Sequence, residues 1–350
     1  MRNVSGYAPP WSQSNPKGAA HERSGNSFRG GVSPRFTRRP KGQSAVEYVL
    51  IVAIIVLVVL IVGPWVSSAI RNQFNMVAGV LGNGTAGGTW EPSGSGSGND
   101  TGSATVQAAI AKDAKDWTLD EQEAVAKDIA KNGTSSIAYA KAKAAMDADT
   151  KFSMKLTDGK TLEYRIIGIN HDDLADGSGK AGLTFLTISH GIYSRMNATN
   201  SNTDGWEKSE LRAKMNSGEI WNLMPSDFQS KVKSVRKLTN NVGGNDENCA
   251  VTATSDRLFL LSYSEIVETP YSGWSGYSWI DKEGSQYELF CNTVKENFSS
   301  NSIIAIGESW WERSTTPRYS TRFCNVNGTG DPSGNYDPTQ SFCVCPAWCF

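Results

Sequence analysis

From Val49 to Val66 the chain reads VLIVAIIVLVVLIVGPWV, eighteen residues without a charge, fourteen of them Val, Leu or Ile. As a helix rising 1.5 Å per residue, such a run covers roughly 27 Å, enough to cross the hydrocarbon of a bilayer. Summed over its branched apolar residues, insertion is favourable by roughly 4 to 8 kcal/mol. The sequence therefore predicts one transmembrane helix, with Pro64 near its end and Trp65 at the far interface. Residues 1–42 carry eight basic side chains against one acidic one, although the whole chain has a net charge of only −1. Basic flanks stay in the cytoplasm, so the expected arrangement is a single-pass protein with its N-terminus inside and its C-terminal domain extracellular. The near-neutral total argues against nucleic acid as a partner and leaves the membrane as one.

Composition divides the rest. Residues 1–42 are rich in Gly, Pro, Ser and Arg and lack an apolar period, which predicts a disordered cytoplasmic leader. Residues 43–81 hold the span and a helical extension marked by Ile70, Phe74, Val77 and Leu81. Residues 82–104 are a Gly/Ser linker, and residues 105–149 read as two or three helices. In that segment Thr118-Leu119-Asp120-Glu121 has capping-box spacing, Asn132-Gly133 is a stop, and Ser135 or Ser136 is the expected cap of a helix over 137–146. From Thr150 the period becomes two: Phe152, Met154 and Leu156, a turn at Asp158-Gly159, then Leu162, Tyr164 and Ile166. Further strands are expected at 183–188, 232–238, 257–261, 322–326 and 342–345, with short helices at 208–215 and after Ser226, and Ser262-Tyr263-Ser264-Glu265 again has capping-box spacing. Strands and short helices without βαβ repetition predict an α+β, loop-rich domain over residues 150–350.

At the start of the apolar run stands Lys41-Gly42-Gln43-Ser44-Ala45-Val46-Glu47-Tyr48. This resembles the processing site of Flp-type (type IVb, Tad-system) pilins. The resemblance implies cleavage by a prepilin peptidase between Gly42 and Gln43, and a role for Glu47 and Tyr48, then mature residues five and six, in assembly with pilin-like subunits. A carboxylate at the rim of a membrane helix is stabilised by a partner, and the new amino group at Gln43 would supply one. A mature chain from Gln43 is much longer than standard pilins, so the resemblance implies a stalk carrying a large head. An ordinary signal anchor is the alternative.

Residues 151–350 resemble a family of uncharacterised surface-protein domains of gut Gram-positive bacteria. The carrying motifs are Gly205-Trp206-Glu207-Lys208-Ser209-Glu210-Leu211-Arg212, Leu223-Met224-Pro225, Gly284-Ser285-Gln286-Tyr287-Glu288, Trp310-Trp311-Glu312-Arg313-Ser314 and Cys345-Pro346-Ala347-Trp348-Cys349. Their layout is also similar to the C-type-lectin-like fold of formylglycine-generating-enzyme relatives, which carries binding modules and enzymes alike.

Eight of the eleven tryptophans lie beyond the linker. Flat aromatic faces suit glycans or peptides, which makes Trp274, Tyr277, Trp279, Trp310 and Trp311 candidate ligand contacts, unless they pack the core. Arg313 and Arg322 either brace the core or hold an anionic group. His171-Asp172-Asp173 with Asp176-Gly177 lacks EF-hand spacing and reads as a polar turn, and His190 has no sequence-visible nucleophile. No metal and no cofactor is expected, and no enzyme motif is present. All six cysteines, Cys249, Cys291, Cys324, Cys343, Cys345 and Cys349, fall in the region read as extracellular and are candidate disulfide formers. Cys343 and Cys345 share a strand face and are not expected to pair with each other, whereas Cys324 is within reach of one. Cys343-Val344-Cys345 is not CxxC, so a redox role of that kind is not expected. The sequence thus predicts a membrane-anchored, pilin-like bacterial surface protein with an adhesion or ligand-binding head. The alternatives are a non-polymerising surface module and an exported enzyme.

Overall fold

The computed structural model describes residues 102–295 and 300–350, which belong to a compact unit spanning Gly96–Phe350. The leader, the pilin-like segment with Gly42, Gln43, Glu47 and Tyr48, and the linker up to residue 101 lie outside the described residues. One expectation is corrected here. Among the described residues no helix is long and apolar enough to cross a membrane, and the architecture they form is a mixed α+β fold.

Helix α1 (Ala104–Ile110) starts at Ser103, whose side chain accepts the Val106 N–H. Helix α2 (Leu119–Asn132) opens on the predicted capping box, Glu121 N–H to Thr118 Oγ1 at 3.3 Å and Thr118 N–H to Glu121 Oε2 at 2.7 Å. It stops at Gly133, whose φ of 56° suits glycine. Helix α3 (Tyr139–Asp147) begins two residues later than expected, because Ser136 is engaged elsewhere. Its Oγ donates to Asp128 and accepts the Ala138 N–H, closing the connection between helices instead of capping one.

Strands β1 (Phe152–Lys155) and β2 (Thr161–Ile169) form the predicted hairpin, with Phe152 opposite Tyr164 and Lys155 opposite Thr161. Then come β3 (Leu183–Thr187) and β4 (Tyr193–Ser194), helices α4 (Glu210–Asn216), α5 (Glu219–Leu223) and α6 (Ser226–Lys231), and the ribbon β5 (Val235–Asn240) with β6 (Val251–Asp256). The strand expected at 257–261 is displaced to 251–256. Leu258, Phe259, Leu260 and Leu261 are wholly buried and make one bridge, Phe259 to Ala347, so their apolar run reflects enclosure and not a ladder. Helix α7 (Tyr263–Ile266) follows, again with its predicted capping box from Ser262 and Glu265. The chain ends in β7 (Trp310–Thr315), β8 (Phe323–Val326), β9 (Gly334–Tyr336), β10 (Phe342–Cys343) and β11 (Ala347–Cys349).

These strands make a four-stranded sheet in the order β1-β2-β3-β11, a five-stranded sheet in the order β4-β10-β7-β8-β9, and the β5-β6 ribbon. Cys343 ends a strand of the second sheet and Ala347 starts one of the first, so the last eight residues step from one sheet to the other. One core cluster lies between helices and first sheet, where Val125, Ile129 and Phe228 join Phe152, Tyr164, Phe185 and Trp348. The helix approaches so closely that a Cβ on Gly182 would sit 1.8 Å from the Ala126 carbonyl oxygen. A second cluster holds Phe259, Tyr263, Trp279, Tyr287 and Trp310.

Candidate functional site

The second cluster contains charge. On β5, Val235, Lys237 and Thr239 share the inward phase, so a lysine enters the core with its apolar neighbours. Its Nζ lies 2.6 Å from Asp172 Oδ1, 2.5 Å from Glu265 Oε1 and 3.1 Å from the Tyr287 hydroxyl, and 4.3 Å from the Phe259 ring centre. Arg313, on β7, faces the other side of Glu265 in a two-bond pair. It also donates to the carbonyls of Leu238, Leu260 and Glu283 at 3.1, 2.8 and 2.6 Å. All these side chains are buried.

Two cations thus face two anions, and each shift follows from that balance. Burial opposes ionisation of Asp172 and Glu265, but the adjacent Lys237, and Arg313 at Glu265, hold both carboxyls below their usual range. Lys237 and Arg313 are likewise held above theirs by the carboxylates, against the opposing effect of burial. Two further acids lack such compensation. Burial raises Glu283 to about 7, even though its carboxylate accepts from Ser314 Oγ and from the Asn240 N–H. Burial and the neighbouring Glu283 push Glu312 well above the carboxylate range, and neither of its carboxylate oxygens has a hydrogen-bond partner. Burial without a partner thus favours the neutral form of Glu312.

The residues expected to face a ligand are buried instead. Trp279, Trp310, Trp311 and Arg313 are at most 1 % exposed, and Trp274 and Tyr277 are below 10 %. Three indole N–H groups are satisfied internally, Trp279 by the Asp246 carbonyl, Trp310 by Ile304 and Trp311 by Ser194. An indole so paired can be enclosed without stranding a donor. Of the two open readings for Arg313 the bracing one holds, whereas Arg322 is an exposed residue bonded to Asn335 at 2.8 Å. The motif around Trp206 is also internal: Trp206 Nε1 and Arg212 Nε meet the two oxygens of buried Asp256 at 3.0 and 2.6 Å. His171 stacks on Tyr287 at 4.1 Å and pairs with Glu288, while its neighbour Asp172 belongs to the charge network. His190 Nδ1 lies 3.7 Å from Glu308. Among the described residues no group of three or more His, Cys, Asp or Glu side chains is arranged to hold a metal.

A different surface is built where four loops meet. Asn202 Nδ2 donates to the carbonyls of Tyr319 and Arg322, both at 2.8 Å. The Arg318 N–H donates to Gly244 at 2.8 Å and its Nη2 to Gly273 at 2.6 Å. Ser278 N–H reaches the Glu247 carbonyl at 3.0 Å. A Cβ on Gly244 would lie 2.0 Å from the Thr316 oxygen, so only glycine permits this approach. Arg318 itself has a φ of 74°, the left-handed region that a non-glycine residue occupies only when its surroundings enforce it. The clamped loops leave Val242 54 % and Tyr319 43 % exposed, and the Arg322 guanidinium lies 4.8 Å from the Tyr319 ring centre. Sequence reasoning reached the 271–279 loop but assigned the display to its tryptophans. Tyr319, Arg318 and Val242 carry no motif, and a lysine in the inward phase of a strand was the available signal for Lys237.

All six cysteines are free in this structure. Cys291 is exposed and the other five are buried. The Cys343 thiol donates to the Val344 carbonyl at 4.0 Å.

No curated protein and no solved structure matches the chain. Residues 181–350 match a family described as a domain of unknown function, DUF6273, a stretch that takes in Lys237, Glu265, Glu283, Arg313 and the four loops but leaves out Asp172.

Proposed function

We propose that the domain is a recognition head, displayed outside the cell, which binds a glycan or peptide through the loop end and carries out no catalysis. The observation that carries this reading is the stack of Arg322 on exposed Tyr319 at 4.8 Å, on loops already fixed by the Asn202 and Arg318 hydrogen bonds. A cation over a ring presents a flat face to a sugar or peptide plane, with guanidinium donors at its rim. Because the loops are bonded in place beforehand, little ordering entropy is lost when a ligand lands. The core network beneath serves the same end, since Arg313 ties the backbone of β5, the segment before α7 and the Glu283 loop together.

Display outside the cell is supported by the order Gly42, Gln43, Glu47, Tyr48 and by the basic leader before it. On this reading a prepilin peptidase releases Gln43 as the first residue, and Glu47 and Tyr48 serve assembly with pilin-like subunits. N-terminal sequencing of the cell-derived protein is expected to begin at Gln43; a chain still starting at Met1 would remove the pilin route.

Binding is tested on the full chain with a glycan array and an immobilised peptide library. A hit is expected to weaken on the order of tenfold in Tyr319→Ala and in Arg322→Ala, equivalent to about 1.4 kcal/mol each. Hits that survive both substitutions, or an absence of hits, would overturn the assignment.

A further inference from the structure

Asp172 sits in the connection between β2 and β3, and Lys237 reaches it from β5, 65 residues further along the chain. The two carboxylate oxygens of Asp172 are held differently. Oδ1 takes the Lys237 ammonium at 2.6 Å. Oδ2 takes the Thr184 hydroxyl at 2.6 Å and the Tyr287 hydroxyl at 3.0 Å, with the Cys349 thiol at 3.5 Å. A nucleophile poised to react stands about 3 to 3.5 Å from its target atom, and the Asp172 carboxyl carbon is one bond from the oxygen that Lys237 touches.

Glu265 completes the set. Its Oε1 lies 2.5 Å from Lys237 Nζ, and both its oxygens are held by the Arg313 fork. A base therefore touches the amine, while hydroxyl donors face the oxygen on which negative charge would gather in a tetrahedral intermediate. The Phe259 and Tyr287 rings stand 4.3 and 5.5 Å from the ammonium, and every one of these side chains is buried.

We propose that Lys237 and Asp172 condense into an amide, an internal cross-link between β5 and the β2–β3 connection, with Glu265 as the proton shuttle. One ammonium proton passes along the 2.6 Å bond to Asp172 Oδ1, which turns the ion pair into an amine and a carboxylic acid. The amine attacks the carboxyl carbon, the N–C bond forms, and Oδ2 carries the negative charge among its hydroxyl donors. Glu265 takes a second proton from the nitrogen and hands it to the Oδ1 hydroxyl. The C–O bond breaks, water leaves, and the carbonyl reforms at Oδ2. The third proton stays on the amide nitrogen and Glu265 is again a carboxylate, so one ammonium and one carboxylate yield one amide and one water without oxidant or reductant.

The charge balance favours this outcome. Two cations, Lys237 and Arg313, face two anions, Asp172 and Glu265. Condensation removes one of each sign and leaves Arg313 with Glu265, so the core stays neutral while two desolvated charges disappear. Asp172 and not Glu265 is the acyl partner, because the guanidinium fork keeps Glu265 as an anion, whereas Asp172 Oδ2 already lies among neutral donors. Enclosure keeps out the water that would reverse the bond.

The purified full-length protein is denatured, weighed intact and mapped by tandem mass spectrometry after trypsin. Its mass is expected to fall one water short of the sequence mass for its own N-terminus. Trypsin is expected to spare the bond after Lys237, and a branched peptide should join residues 166–180 to residues 237–257. In Asp172→Asn the loss is expected to be one ammonia, because nitrogen is then the leaving group. Glu265→Gln is expected to slow linkage by on the order of a hundredfold, so that folded protein is isolated at full mass. Full mass in the wild type with cleavage after Lys237 would overturn the proposal, as would a water loss mapped to Asp176-Gly177 or a branch at Glu265. Linkage to the wild-type extent in Glu265→Gln would remove the shuttle. The wild-type mass and peptide map decide the cross-link even where a variant does not fold.

Discussion

Arg313 and Glu265 meet through two parallel bonds, Nη1 to Oε2 at 2.5 Å and Nη2 to Oε1 at 2.9 Å, with both side chains enclosed in the core. The planar fork matches the carboxylate, and its remaining donors point at backbone carbonyls of three separate segments. Lys237 shares the same carboxylate through its other approach, so one glutamate on a four-residue helix organises two cations.

Arg313→Lys keeps the charge and discards the fork. Lysine reaches one oxygen of Glu265 and leaves the carbonyls of Leu238 and Glu283 unserved. A loss of roughly 3 to 5 kcal/mol is expected, read as a lower denaturant midpoint at constant slope.

Glu283 makes stability depend on pH in a definite direction. Its carboxyl rises from 4.5 to about 7 on folding, because burial disfavours the anion. The folded state then binds more protons than the unfolded one between these values, so the contribution is complete below about 4.5 and is lost as pH rises to about 7. Urea midpoints should fall across that window, and Glu283→Gln should flatten the slope. An unchanged slope in the variant would assign the dependence to another group.

Gly182→Ala tests the seat of α2 on the first sheet. The added Cβ would meet the Ala126 carbonyl oxygen at 1.8 Å, backbone against backbone, so the helix must shift. A loss of roughly 3 kcal/mol is expected in thermal or denaturant unfolding, and hydrogen exchange should rise in α2 before the second sheet.

Trp311→Ala and Tyr319→Ala separate enclosure from display. Trp311 is fully buried with its ring centre 4.8 Å from that of Phe342 in a tilted pair, so its removal should cost roughly 3 to 5 kcal/mol. Tyr319 is 43 % exposed, and its truncation should change stability by less than about 0.5 kcal/mol while acting on binding. Equal losses in melting temperature would place Tyr319 in the core framework.

Local signals were legible where the chain itself supplies the partner. The Thr118 and Ser262 capping boxes and the hairpin around Asp158-Gly159 depend on residues three to twelve apart, and each stands where spacing placed it. The segment 257–261 was misread because a run enclosed on all sides has no period, and periodicity is a readout of having one dry face and one wet face. The same limit applied to the aromatics. Composition identifies a tryptophan, but whether its indole N–H finds a carbonyl such as that of Ile304 or Ser194 depends on chain far away in sequence.

By itself the sequence determined the two capping-box helix starts, the first hairpin, the α+β class and the absence of βαβ repetition. Tertiary structure alone decided that Lys237, Asp172, Glu265 and Arg313 neutralise one another and that Tyr319 and not Trp310 faces outward. Capping and turn formation are satisfied within one or two turns of chain. Burial of a charge and exposure of a ring are settled by which distant segments arrive beside them.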